Sequence, residues 1–383
     1  MRFPNRVGRW ILLPYILILL LFLEIATRLS LVRLWPSDFS RFQDSEIRRY
    51  LWTVRQQKPA LPLDPAERFD PVRGWALRPG VRNDRTGFHS NSRELRGRRE
   101  YADEKPPHVR RVAVFGDSYA AAAKLSDAET YPARLEHLLP NTEVLNFGVM
   151  GYGHDQMLLY LRQEGLTYHP DVVILGFVTC DIPRNSTTFP WAAKPRFRLH
   201  GQDLLLENFP VPSPDEIVRW EFFHPKLFRL LKTLFSPRDT PGEWRLTTAL
   251  LEEFCRVARA AGAAPLVVFM PIHDELSSPD ASPAENQLED HCRSHGIPYF
   301  SVRPALAKFP DAKKRFHAGT HWSAEAHALI AGELSAFLRT LDPTLKEPIP
   351  HEQRNAPPKT WERRLADVLN SPRRHTTSKL FLQ

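Results

Sequence analysis

The stretch "RRVAVFGDSYAAA", Arg111 to Ala123, decides the reading of this chain. An apolar run with β-branched residues stops at a Gly-Asp-Ser step and gives way to alanines, which favour helix. This is the pattern of a strand-to-helix junction, and it leaves Ser118 at the carboxyl end of the strand. Two roles fit a serine there. It can cap the next helix, or it can present its hydroxyl to the crevice that opens at strand ends of a parallel sheet.

Downstream the same rhythm repeats. The runs "RRVAVFG", "TYPARLEHLL", "TEVLNFG", "HDQMLLYLRQEG" and "PDVVILGFV" alternate short apolar strands with amphipathic helices. The alternation breaks at Ile182 and resumes with "TTALLEEFCRVARAAG", "APLVVFMP", "ENQLEDHCRSHG", "IPYFSV" and "SAEAHALIAGELSAFLRTL". Strands and helices in alternation predict an α/β fold of three layers, α/β/α, with a flavodoxin-like doubly wound parallel sheet of about five strands. The interruption, an insertion over 183–245, carries a predicted hairpin, "RFRLHGQDLLLE", and an aromatic, basic helix from Trp220 to Phe235. Phe222, Leu227, Leu230, Leu231 and Leu234 recur there at helical spacing, so packing over the domain is expected, with an acyl-binding lid or a membrane-surface contact as alternatives.

The chain opens "MRFPNRVGRWILLPYILILLLFLEIATRLS", in which three arginines precede an apolar run close to the roughly 20 residues that span a bilayer. Its length and the poor cleavage site at its exit favour an uncleaved anchor over a removed signal or a buried helix. The expected organisation is a cytoplasmic start over 1–9 and a transmembrane anchor over 10–29. A juxtamembrane stalk or wrapping arm over 30–108 follows, then the main domain over 109–342 and a basic, Pro-rich tail over 343–383. Basic residues flank both ends of the span, so orientation rests on the short basic start staying in the cytoplasm, which puts the main domain outside. Within the arm, "FDPVRGWALRPG" and "NSRELRG" carry aromatic and turn residues that argue against a purely disordered linker.

The net charge is +8, but the arginines are spread along the chain and form no recognisable nucleic-acid motif. No nucleic-acid partner is expected; basic segments near anionic lipid account for the charge. Three cysteines, Cys180, Cys255 and Cys292, are too few and too odd in number for a disulfide framework.

Other strand ends then bear on Ser118. "LNFGVMGYG" follows the second strand with small residues that let backbone amides face a crevice. "GFVTCD" follows the third, and "HAGTHW" opens the last helix with a histidine that could reach back. In this order the blocks resemble the SGNH (GDSL) hydrolases, a family of esterases, lipases and polysaccharide acetyl-ester hydrolases. The resemblance covers Val109 to Leu341. It implies Ser118 as nucleophile, His321 as general base, and the amides of Ser118 and Gly151 as oxyanion donors. The arm's Gly-Trp, Pro-Gly and Asn-Ser steps look like those of membrane-anchored members.

Two positions depart from the family pattern. Cys180 of "TCDI" stands at the family's oxyanion asparagine, and a thiol is a weak donor. Ala318 stands where the family places the aspartate that orients the histidine, leaving His317, Asp311 and Asp181 as possible substitutes. No cofactor and no metal is implied: His317 and His321 lack a third ligand in view, and nothing near Cys180 in sequence lowers its pKa. The expectation is a membrane-anchored serine ester hydrolase or acyl transferase acting on an acylated glycan or lipid. A catalytically degenerate binding or assembly protein for an envelope polysaccharide is the alternative.

Overall fold

Five of the apolar runs become one parallel sheet in the computed structural model: β1 (Arg110–Gly116), β2 (Thr142–Gly148), β3 (Val172–Phe177), β4 (Ala264–Phe269) and β5 (Tyr299–Ser301). The structure describes residues 7–34, 45–56, 65–235, 240–278, 280–309, 311–319, 321–340 and 359–370. Most of the expected basic tail and of the expected cytoplasmic start lies outside the described residues.

The spatial order is β5-β4-β3-β1-β2. Strand β1 sits between β2 and β3, Val112 pairing with Val144 on one side and Val172 on the other. From β2 the chain crosses to the far side of β1, so the order reverses between β1 and β3. In such sheets the ligand crevice lies outside the carboxyl ends of the strands at that reversal. Ser118 follows β1 and Cys180 follows β3. The fold itself therefore brings these two positions to one edge.

Both faces of the sheet are covered, as a period of two in β1 requires. Val112 and Val114 join Ile174 and Val268 in a core with Tyr131 and Leu135 of the helix Tyr131–Leu138 and Ile330 and Leu334 of the helix Ala324–Thr340. Phe115 faces the other way, stacked on Phe147 at 4.6 Å and edge-on to Phe254 of the helix Thr240–Ala260 at 5.6 Å. Aromatic pairs of this kind add about 0.5–1.5 kcal/mol beyond the area they bury.

Arm residues 65–100 are ordered against this unit. Strand Glu67–Asp70 pairs antiparallel with Gly74–Leu77, and Trp75 of the second strand is fully buried. The predicted hairpin forms between Arg196–His200 and Asp203–Glu207, with Gly201 at positive φ (63°) in the turn.

A second, smaller unit comprises residues 1–63, 187–194 and 212–239. Its helices are α1 (Val7–Leu34), α2 (Ser45–Gln56), α3 (Pro214–Phe223) and α4 (Leu227–Phe235). The single helix expected from Trp220 to Phe235 is thus corrected to two. Pro225 disfavours helical geometry in the residue before it, and His224 is extended, with φ −87° and ψ 124°. Leu31, Ile47, Tyr50 and Leu51 form the core of this unit, with Leu230 packed against them. Among the described residues, Leu12–Arg33 of α1 is the one helical stretch whose length and composition suffice to cross a membrane.

Candidate active site

Of the two roles open to Ser118, the cap is filled by its neighbour. The helix Ser118–Ala121 is a single turn whose cap is Asp117: its Oδ1 accepts the Tyr119 amide at 2.9 Å. Ser118 is buried, 6% exposed, and its Oγ donates to Asp117 Oδ2 at 3.3 Å. The capping role belongs to the residue before the serine.

That turn is held tightly. A Cβ on Gly148 would lie 2.5 Å from the Ala121 amide nitrogen, and one on Gly116 would lie 2.8 Å from Ala120 Cβ. Only glycine permits this approach at the two strand ends. Its carbonyls are also taken: Asn146 Nδ2 donates to Ala120 O at 3.0 Å, and Arg96 Nε to Ala121 O at 2.8 Å. Arg96 comes from "NSRELRG", so the arm supports the serine-bearing turn.

Gly151 lies in the turn that follows β2, at φ 72°, a conformation that suits glycine. The turn is tied to the exit of β1, since Val149 N donates to Gly116 O at 3.1 Å. Trp75 Nε1 donates to Met150 O at 2.9 Å, and Tyr152 Oη donates to Trp75 O at 2.5 Å. In a planar trans peptide the N–H points opposite the preceding C=O. By holding the Met150 carbonyl, Trp75 fixes the direction of the Gly151 N–H.

His321 sits on a short hairpin in which His317–Ala318 pairs with His321–Trp322, Ala318 opposite His321. Its ring lies beside that of Tyr119, the neighbour of Ser118, with centroids 5.7 Å apart. Trp322 packs edge-on to the same tyrosine at 4.9 Å and anchors the hairpin by donating to Pro271 O at 3.2 Å. Burial pushes the His321 pKa below its ordinary value; Asp117 opposes this, while Lys124 and Arg184 reinforce it. Its imidazole is therefore held neutral more readily than a free histidine.

The third strand end carries a charge cluster. Cys180 Sγ lies 3.8 Å from Asp181 Oδ1, and burial, with Asp181 next, pushes the thiol pKa up. Burial thus favours the protonated thiol, a poor nucleophile. Asp181 is fully buried, and burial raises its carboxyl well above the ordinary range, with Asp117 adding and Arg184 opposing. Arg184 bridges the two carboxylates, donating to Asp117 Oδ2 at 3.1 Å and to Asp181 Oδ1. Asp117, Cys180 and Asp181 bring ligand-type atoms within 4.8 Å of one another. The guanidinium supplies positive charge at that cluster.

Ser118, Gly151 and Cys180 therefore follow β1, β2 and β3 at the carboxyl edge of the sheet, and the hairpin puts His321 beside Tyr119 there. Of the possible orienting groups for His321, Asp181 is engaged by Arg184. Asp311 lines a cleft of about 600 Å³ with His273, Leu276, Ser277, Lys313, Lys314 and Gly319, the last from the His321 hairpin. The side chains of His317 and Ala318 lie outside the described residues. His327 accepts the Tyr131 amide at 3.0 Å, and burial pushes its pKa down to about 3, so it is a packing histidine. Sequence reasoning did not find Arg184, Asn146, Trp75 or Arg96. Arg184 meets Asp117, Asn146 meets Ala120, Trp75 meets Met150 and Arg96 meets Ala121 across tens of residues, and only the arm's Gly-Trp and Asn-Ser steps hinted at two of them.

Among solved structures, a GDSL-family lipolytic protein from Veillonella parvula is 14% identical, with 60% of this chain and all of that one covered at a TM-score of 0.38. A GDSL-like lipase from Bacteroides thetaiotaomicron is 11% identical, with 60% and 88% covered at 0.35. A psychrotrophic esterase from Pseudoalteromonas is 14% identical, with 60% and 96% covered, also at 0.35. No curated protein matches the chain. The profile of the GDSL-like lipase/acylhydrolase family matches residues 114–329, more than half of the sequence and the whole span from β1 into the last sheet-packing helix. With the five-stranded parallel sheet and the Gly-Asp-Ser step at the exit of β1, this chain belongs to the GDSL-like lipase/acylhydrolase family.

Proposed function

We propose that this protein is a membrane-anchored serine ester hydrolase, or an acyl transferase of the same chemistry, acting on acyl esters of a glycan or lipid outside the cytoplasm. The observation that supports it most is the cap: Asp117 takes it, so Ser118 is not required for that role. In the reaction Ser118 Oγ attacks the acyl carbonyl and His321 takes its proton. The amides of Ser118 and Gly151 donate to the oxyanion, the latter aimed by Trp75. Collapse expels the alcohol, which takes the proton back from His321. Water then attacks the acyl-serine to give the acid, or an acceptor hydroxyl attacks to give a new ester.

Cys180 and Ala318 favour a second reading, a binding or assembly protein that has kept the crevice and lost turnover. A thiol in place of an amide donor costs about 3 kcal/mol of transition-state stabilisation. The two readings part on the joint behaviour of serine and base. Because they act as a unit, Ser118→Ala, His321→Ala and the double variant should each lose nearly the same factor on short activated esters. Additive losses, or full activity in either single variant, would reject the dyad.

A further inference from the structure

We infer that the outer faces of α3 and α4 form a platform that lies in the headgroup and acyl boundary of a bilayer, beside the point where α1 leaves it. The inference rests on reading α1 as a membrane span. It adds a second, built contact between the smaller unit and lipid.

The argument starts from Glu24. The uninterrupted apolar run before it, Trp10 to Leu23, is 14 residues. At 1.5 Å per residue that is about 21 Å, short of the roughly 30 Å hydrocarbon core. A carboxylate at that depth is costly unless partnered. Glu24 is partnered: it pairs with Arg28 at 2.6 Å and accepts the amides of Lys226 and Leu227 at 2.8 and 2.9 Å. Arg28 Nη2 also donates to His224 O at 2.7 Å. The elbow between α3 and α4 is thereby bolted to α1 inside the stretch that the bilayer must accommodate.

The faces of the two helices fit that placement. Helix α3 buries Ile217 and Glu221 and turns outward Trp220, 64% exposed, and Phe223, 80% exposed. Helix α4 packs Leu230 against the core of the unit and turns outward Phe228, 75% exposed, and Leu231, 43% exposed. Residues three apart share a helix face, so each helix carries one apolar stripe. Four large apolar side chains on two short helices make a patch that water disfavours. Indole prefers the membrane interface, and Arg219 and Lys232 on the same helices suit anionic headgroups. The occupant is therefore a bilayer bearing anionic lipid.

The test places a nitroxide, one at a time, at positions 220, 223, 228 and 231 of the full chain. The background is Cys180→Ala; Cys255 and Cys292 are buried. The protein is held in nanodiscs of phosphatidylethanolamine and phosphatidylglycerol, and collision with oxygen is compared with collision with a water-soluble nickel chelate. Position 19 in α1 and position 289, whose side chain is 43% exposed, serve as lipid and water references. The oxygen-to-nickel ratio at the four sites should exceed that at 289 severalfold. If position 19 reports lipid and the four sites match 289, the platform is refuted and the anchor stands. If position 19 also matches 289, the anchor reading fails and the inference with it. Protection from both reagents at the four sites would mean a protein covers them, which also overturns the inference.

Discussion

Replacing Arg184 with methionine should destabilise the protein in a pH-dependent way. The guanidinium touches two carboxylates that are almost without solvent: Asp117 is 1% exposed and Asp181 0%. Asp181 Oδ2 has no hydrogen-bond partner among the described residues. Methionine keeps an unbranched apolar stem and removes the charge, so packing changes little while the carboxylates lose their counter-ion. Breaking a buried pair in this way costs about 3–5 kcal/mol. The pH dependence follows from Asp181, whose carboxyl is held well above its ordinary value of 3.8 by burial, then by Asp117, against Arg184. Between the unfolded and folded values the folded chain binds more protons, so stability falls as pH rises through that window. Removing Arg184 raises the folded value further and extends the fall to higher pH. Urea unfolding followed by tryptophan fluorescence should show Arg184→Met weakened by about 3–5 kcal/mol at pH 7.5 and by clearly less at pH 5. Adding Asp181→Asn should recover much of the loss. Equal destabilisation at both pH values, or none at pH 7.5, would refute the reasoning.

Two further outcomes concern the base. Because burial lowers the His321 pKa, the acid limb of kcat/KM should fall below pH 6.5, with activity lost as pH drops through it and the imidazole takes a proton; a limb above 6.5 would contradict this. Ala318 is the register partner of His321, so Ala318→Asp should move that limb upward and raise turnover at least about 10-fold, since removing an orienting carboxylate costs about four orders of magnitude in the serine-protease case. A stable Ala318→Asp protein with an unchanged pH profile and turnover would mean that another group already orients the base.

The sheet was legible because its strands are short β-branched runs that end at glycine or at turn residues, from "RRVAVFG" to "IPYFSV", and the structure has strands at all five. The break at Pro225 was also visible in the residues, but the helical spacing of Leu227, Leu230 and Leu231 outweighed it. Ser118, Gly151, Cys180 and His321 were legible as a motif order. The groups that hold them were not. Asp117 and Arg184 are 67 residues apart, Trp75 and Met150 are 75 apart, and Arg96 and Ala121 are 25 apart. No local pattern marks such pairs, because the first is set by the reversal between β1 and β3 and the other two by where the arm lies against the strand ends. Likewise Glu24 reads in sequence as a flaw in an apolar helix, and only the elbow of α3 and α4 gives it partners.

The central claim is that Ser118 is an activated nucleophile, and reaction of the full-length protein with a fluorophosphonate probe tests it most directly. The account predicts one covalent adduct, mapped by peptide mass to Ser118, formed quickly in the wild type, absent in Ser118→Ala and strongly slowed in His321→Ala. A correctly folded wild-type protein that takes up no probe, or takes it up on another residue, would contradict it.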